Sequence, residues 1–388
     1  MKKIFILIGC LTFCLASSLA QKPQEILGIA KEQQSKEYYE RQHQLWRGVV
    51  QKDQKNANAW WQMYKAQRAF LQLSEPKIWA NDQNAIFKKL EPIVGKAKRN
   101  VGNSYEYFLM EYANTKDRDR IQFIEKAYQI DPTRKEAFEG LLIHYTLTFQ
   151  DRKAEEMAKK MLESNYYSNA CLMWNYNQLQ TIEPNGIFIT NGDLDAIPKW
   201  VLQGSQELRK DVLVISKWMM SADEKYRKTV FQKINVPASD QSVKDFPNTV
   251  AYINHLVKYI MENATQNVYV ACGTPVHFFE NTGIADKVYL VGNAFVYSKK
   301  DFDNEKVLVK NLEAKYELGY LLVNFQKHPE DAMIKSQMNP TYIPALMKAK
   351  QYFEQKGNRS RASYYASLIQ QITKDSGREE EIKSWYKD

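Results

Sequence analysis

"GIFITNGDLDAIPKWVLQGSQELRKDVLVISKW", residues 186–218, decides how the chain divides. Residues 186–190 read as a short strand that stops at Asn191-Gly192. Residues 197–210 have the period of an amphipathic helix, with Ile197, Trp200, Val201 and Leu208 toward one side. Residues 211–218 are rich in branched residues and read as a second strand. Strand, helix and strand within about thirty residues form a βαβ unit, whose two strands must run parallel.

Downstream, helical stretches near 221–234 and 249–264 follow, the second with Tyr252, Leu256, Tyr259 and Ile260 along one side. A third strand is expected at 267–273. A fourth is expected at 287–298, broken at Gly292-Asn293. Residues 181–302 are therefore expected to be a small, mostly parallel α/β domain. Upstream, residues 21–180 read as helix after helix. In 135–164, Phe138, Leu141, Leu142 and Tyr145 recur at helical spacing, a polar break follows at Gln150-Asp151, and Ala154, Ala158 and Met161 form a second stripe. Small residues on the second helix allow two antiparallel helices to approach closely, the need of a tetratricopeptide-like hairpin. Ala127 and Pro132 end a preceding helix in register, and 56–70 resembles the first helix of another unit, although the period is not strict. Residues 342–372 repeat the pattern, with Phe353, a Gly357-Asn358 turn and Ala362. The expected fold class is thus α/β plus all-α, with tetratricopeptide-like helical arrays at 21–180 and 303–388 flanking the α/β domain.

Residues 1–20 read as a secretory signal peptide: Lys2 and Lys3, an apolar run, then Ser18 and Ala20 before a cut after Ala20. A rival reading makes "LIGC" (7–10) a lipobox with Cys10 as a lipidated terminus. No later segment has eighteen uninterrupted apolar residues, so no transmembrane segment is expected after cleavage and the mature chain is expected to be periplasmic or secreted. Two of the four cysteines fall in this leader, leaving Cys171 and Cys272, read as two buried thiols although export permits a disulfide. The formal charge of +9 comes from lysines spread without a run of five, a solvated surface and not a nucleic-acid footprint.

The stretch 186–215 resembles the opening of the soluble C-terminal part of a family of bacterial polytopic membrane proteins related to the transmembrane O-mannosyltransferases. Gly192, Asp193, Asp195, Pro198, Trp200, Leu202, Gln203, Arg209, Asp211 and Val212 fall in step with that family's pattern. "NVYVACGTP" (267–275) and "GIADKVYLVGNAFVYS" (283–298) resemble its later strand pair, and the helices after 303 its closing repeats. The resemblance implies an α/β plus helical-repeat fold over about 181–388. Leu194 and Ala196 replace the family's Asn and Thr, which blunts a polar loop. The acids that transfer sugar in that family lie in membrane spans this chain lacks, so that chemistry does not carry over.

Two roles compete for Asp193-Leu194-Asp195. An Asp-x-Asp after a strand can hold a divalent cation on a diphosphate. Alternatively, Asp195 is the N-cap of the 197–210 helix, with Pro198 in its first turn. In an open parallel sheet, ligands bind beyond the carboxyl ends of strands. That rule places Asn191 and Asp193, after the first strand, with Cys272, Gly273 and Thr274, after the third, in one cleft with His277. Cys272 and His277 read as a nucleophile and base, or Cys272 as a structural thiol. No P-loop, HExxH, CxxC or GxSxG is present, and no cofactor is implied. His144 and His255 fall inside helical patterns, and Tyr166-Tyr167 and Tyr364-Tyr365 read as sugar platforms or as packing. The expected function is a non-catalytic exported scaffold for another envelope or secreted protein. The alternatives are a glycan or sugar-phosphate module, or a metal-dependent glycosyl or phosphoryl transferase through Asp193 and Asp195.

Overall fold

The computed structural model describes residues 22–29, 31–115, 120–274, 276–323 and 327–385. The expected leader, with Cys10, lies outside the described residues. Among the described residues, nine α-helices precede the sheet: α1 (Lys36–Lys52), α2 (Ala57–Ser74), α3 (Pro76–Asn81), α4 (Gln83–Val101), α5 (Tyr105–Ala113), α6 (Ile121–Ile130), α7 (Phe138–Leu147), α8 (Asp151–Glu163) and α9 (Asn169–Thr181). Five of their starts are written locally. Ser35, Asn56, Asp82, Ser104 and Ser168 each accept the backbone amide three residues on, satisfying a donor that the helix cannot. The α7–α8 hairpin forms where the spacing places it, turning through Phe149 in the left-handed region.

The strands are β1 (Ile187–Thr190), β2 (Leu213–Ser216), β3 (Val268–Ala271), β4 (Val288–Leu290) and β5 (Ala294–Tyr297), in the order β2-β1-β3-β5-β4. β1 runs parallel to both β2 and β3, as the βαβ reading requires. β5 runs antiparallel to β3 and β4. The sheet is therefore mixed, not mostly parallel. The stretch 287–298 is a hairpin turning at Gly292-Asn293, and so short a connection cannot cross over to a parallel neighbour. Gly292 has φ 132°, and a Cβ there would collide with the Tyr316 hydroxyl, which accepts the Asn293 amide at 2.7 Å.

The helices of this region are α10 (Asp193–Gln206), α11 (Lys217–Ala222), α12 (Glu224–Lys233), α13 (Thr249–Asn263) and α14 (Val276–Thr282). After the sheet come α15 (Asn304–Ala314), α16 (Asp331–Met333), α17 (Ile343–Gln355) and α18 (Arg359–Ser376). α17 and α18 form the expected hairpin, with Gly357 left-handed and the Asn358 side chain capping α18. No helix among the described residues is long and apolar enough to cross a membrane.

Residue 181 marks a change of secondary structure but no break in the core. One contiguous apolar cluster runs from Val50 through Leu141 and Met161 to Phe188, Trp200 and Val296. The seam is α8 against α10, where the small stripe of α8 serves a second partner that its sequence does not name: Gly204 lies so close that a Cβ on it would sit 2.8 Å from the Ala158 Cβ. A second cluster, including Leu308, Tyr342, Leu346, Tyr365 and Leu368, takes Trp174 from α9. α9 is thus the shared spine, and it is polar where it is most buried. Asn177 bonds the Glu317 backbone with both ends of its amide (3.1 and 2.8 Å), Gln178 donates to the Asn293 carbonyl (2.8 Å), and the Trp174 indole donates to the Met338 carbonyl (3.0 Å).

Gly204→Ala is expected to destabilise by about 1–3 kcal/mol, the usual cost of overpacking a tight contact. The loss should shrink in an Ala158→Gly background. A double-mutant cycle in urea tests this; additive effects would mean that the two residues do not touch.

Candidate functional site

α10 starts four residues earlier than its apolar period suggests, at Asp193, with Gly192 as N-cap. Asp195 is therefore the third residue of the helix and not its N-cap. It does accept a backbone amide, that of Asn191, through Oδ2 at 2.7 Å. Its other oxygen meets Lys199 Nζ at 2.6 Å. With both oxygens engaged and the side chain buried, Asp195 is held by structure.

Lys199 is fully buried (0% exposed). Its Nζ also lies 2.7 Å from Asn175 Oδ1, Gln178 Oε1 and the Asp195 carbonyl, between the faces of Trp174 and Phe188 at 5.0 and 4.9 Å. Burial lowers its pKa, and the Asp195 carboxylate opposes that. Four acceptors surround three N–H bonds and leave no direction for a lone pair, so the group is an ammonium. Pro198 completes the motif. It stands inside α10, five residues after Asp193, and lacks the N–H that would bond the Leu194 carbonyl. Asn175 Nδ2 fills that place at 3.0 Å.

The expected cleft at the carboxyl ends of β1 and β3 forms in part. Thr274 Oγ1 donates to Asn191 Oδ1 at 3.1 Å, and Lys217 Nζ donates to the same oxygen at 2.6 Å. Lys217 opens α11 directly after β2, and burial lowers its pKa, with Asp195 opposing. The sequence reading missed this residue, although a lysine directly after a strand of a βαβ unit is the signal that marks it. Cys272 does not join the cleft. Its thiol is directed at the Gly292 carbonyl (3.9 Å), and burial pushes its pKa up to about 12, which removes the thiolate a nucleophile needs. His277 is exposed on α14, and no bond joins it to Cys272 among the described residues. Cys171 and Cys272 are both free thiols.

Asp193 faces elsewhere. Its side chain is exposed, and its charged neighbours are Glu139 of α7 and Arg68 of α2. The surrounding protein raises its pKa to about 6, Glu139 adds to this, and Arg68 opposes it. The two aspartates therefore point to different surroundings and cannot share one cation. No group of three His, Cys, Asp or Glu among the described residues has metal-holding geometry. Two surface hollows lie away from all these residues. One of about 600 Å³ is lined by Lys55, Lys98 and Ser104, and one of about 300 Å³ lies at the amino ends of β1 and β2, beside Ile187, Asp211 and Leu213.

A further feature has no counterpart in the sequence reading. Residues 22–29 run without regular structure along α1 and α2. Gln42 Oε1 accepts the Gln24 amide at 2.7 Å, and Gln62 Oε1 accepts the Ile26 amide at 2.8 Å. The helical array thus holds an extended segment of its own chain. The chain matches no protein-family model and no curated protein.

Lys199→Met is expected to cost about 3–5 kcal/mol, because it strands the buried Asp195 carboxylate; equilibrium unfolding measures it, and a loss below 1 kcal/mol would refute the assignment. Asp193→Asn should act in the opposite direction. A carboxyl titrating near 6 when folded and about 4 when unfolded lowers stability as pH rises between those values. The substitution should therefore raise Tm at pH 7.5 and give a smaller gain at pH 4.5, in melts followed by circular dichroism.

Proposed function

We propose that the protein is a non-catalytic, exported interaction scaffold of the cell envelope, in which the helices before the sheet act as tetratricopeptide-like repeats that hold an extended polypeptide. One observation carries the reading: two buried glutamines of adjacent helices take alternate backbone amides of a segment laid across them. Alternate amides of an extended chain point the same way, and side-chain amides that catch them read backbone and not sequence. Export rests on the leader-like residues 1–20. Descent of 181–388 from the soluble part of the polytopic membrane family rests on the motif around Gly192 and Pro198. A transferase acting through a metal on Asp193 and Asp195 is disfavoured, since one carboxylate is saturated and the other turns away. Affinity capture from envelope extract with the mature chain tests the scaffold role: a stoichiometric partner is expected, and none at any salt concentration would sink it.

A second reading, a site for a sugar phosphate, has its own support. Lys217 and Thr274 converge on Asn191 at the carboxyl ends of β1 and β3, where the strand order reverses on either side of β1. Glucose 1-phosphate at millimolar concentration should then raise Tm in the intact protein and not in Lys217→Ala. Equal shifts in both would remove the site.

A further inference from the structure

Among the described residues, 22–29 and 31–32 are held by side-chain hydrogen bonds, an apolar contact and a cation–ring contact. The amides of Gln24 and Ile26 are caught by Gln42 and Gln62. Ile26, 1% exposed, packs into a small apolar cluster with Tyr39, Ala66 and Ala69 that is separate from the main core. Beyond a turn at Gly28, Lys31 lays its ammonium 3.3 Å from the centre of the Tyr166 ring and 5.3 Å from that of Tyr167. The rings stand edge to face, and both hydroxyls donate to Glu139 Oε2, at 3.1 and 3.0 Å. Burial lowers the Lys31 pKa, and the negative charges of Glu139 and the fully buried Glu330 oppose that. Rings plus carboxylates form a cage suited to an ammonium.

The fit is incomplete. Among the described residues, 22–27 make no backbone-to-backbone hydrogen bond. Gln42, 0% exposed, leaves its Nε2 without a partner beside the segment its Oε1 holds. A buried amide donor without a partner is costly, so an occupant that offers it a carbonyl oxygen binds better than the present one.

We propose that this groove is a binding site for an extended segment carrying a branched aliphatic residue followed five residues later by a lysine, and that residues 22–32 are a built-in competitor which such a segment displaces. The aliphatic side chain enters the Tyr39, Ala66 and Ala69 cluster, the lysine enters the Tyr166 and Tyr167 cage, and Gln62 and Gln42 take the backbone amides of the aliphatic residue and of the residue two before it. The proposal rests on the scaffold reading and adds the partner's chemistry and its control.

The probe is a labelled synthetic peptide of residues 22–34, followed by fluorescence anisotropy against the mature full chain. In the intact protein the tethered copy competes at roughly millimolar effective concentration, so binding in trans is weak. Ile26→Asp and Lys31→Glu in the protein each loosen the tethered copy and should tighten peptide binding tenfold or more. Adding Gln62→Ala or Glu139→Ala should reverse the gain, and a peptide carrying Lys31→Glu should not bind. If Ile26→Asp fails to melt cooperatively, Lys31→Glu decides alone. Folded variants that bind the peptide no better than the intact chain overturn the proposal, even if envelope capture succeeds. Failure of the scaffold reading looks different: the variants bind peptide while no envelope protein is captured.

Discussion

The ammonium of Lys199 sits where three parts of the molecule meet. Asn175, Gln178 and Trp174 reach it from α9, Asp195 from the first turn of α10, and Phe188 from β1. A charge placed there without partners would not be tolerated, so the geometry of every neighbour is constrained at once. Asn175 shows how tightly. Its oxygen accepts from Lys199, and its nitrogen donates to the carbonyl that Pro198 leaves open. The helix after β1 keeps a proline in its body because another helix supplies the missing donor.

From this point the rest of the architecture is positioned. With α10 fixed against α9, its Gly204 face closes on Ala158 of α8, which joins the helical array to the sheet in one core. From the same helix, Asn177 and the Trp174 indole reach into the C-terminal part of the chain. Buried amides suit this role better than apolar side chains, because each has donor and acceptor directions that admit one arrangement. The cost is that every one of these groups must be satisfied, and Asn175, Asn177 and Gln178 find partners as far as 165 positions away.

The same arrangement separates two surfaces. Asp195 is drawn inward, which leaves Asn191 to Lys217 and Thr274 at the end of the sheet. Asp193, two residues earlier, turns to the helical side, toward Glu139 and Arg68. Glu139 also anchors the two tyrosines beneath Lys31. Glu139 is thus common to the surroundings of Asp193 and of Lys31.

Periodicity alone determined the elements: the βαβ unit at 186–216, the α7–α8 and α17–α18 hairpins, and the third strand all follow from which residues must be buried together. The Asn191–Thr274 contact followed too, once β1 and β3 were taken as parallel neighbours. Tertiary structure alone decided the start of α10, because Asp195 reaches back to Asn191, and the direction of Cys272, because β5 pairs antiparallel beside β3 and brings the Gly292 carbonyl to its thiol. It also decided that Lys199 is interior. Asp195 and Lys199 stand four apart, the spacing of a helical ion pair, but local sequence cannot report that α9 covers them. Nor can it report that residues before the first helix lie against Gln42, Gln62 and Tyr166, since those contacts close loops of 18 to 135 residues and rest on long-range packing, which has no period to read.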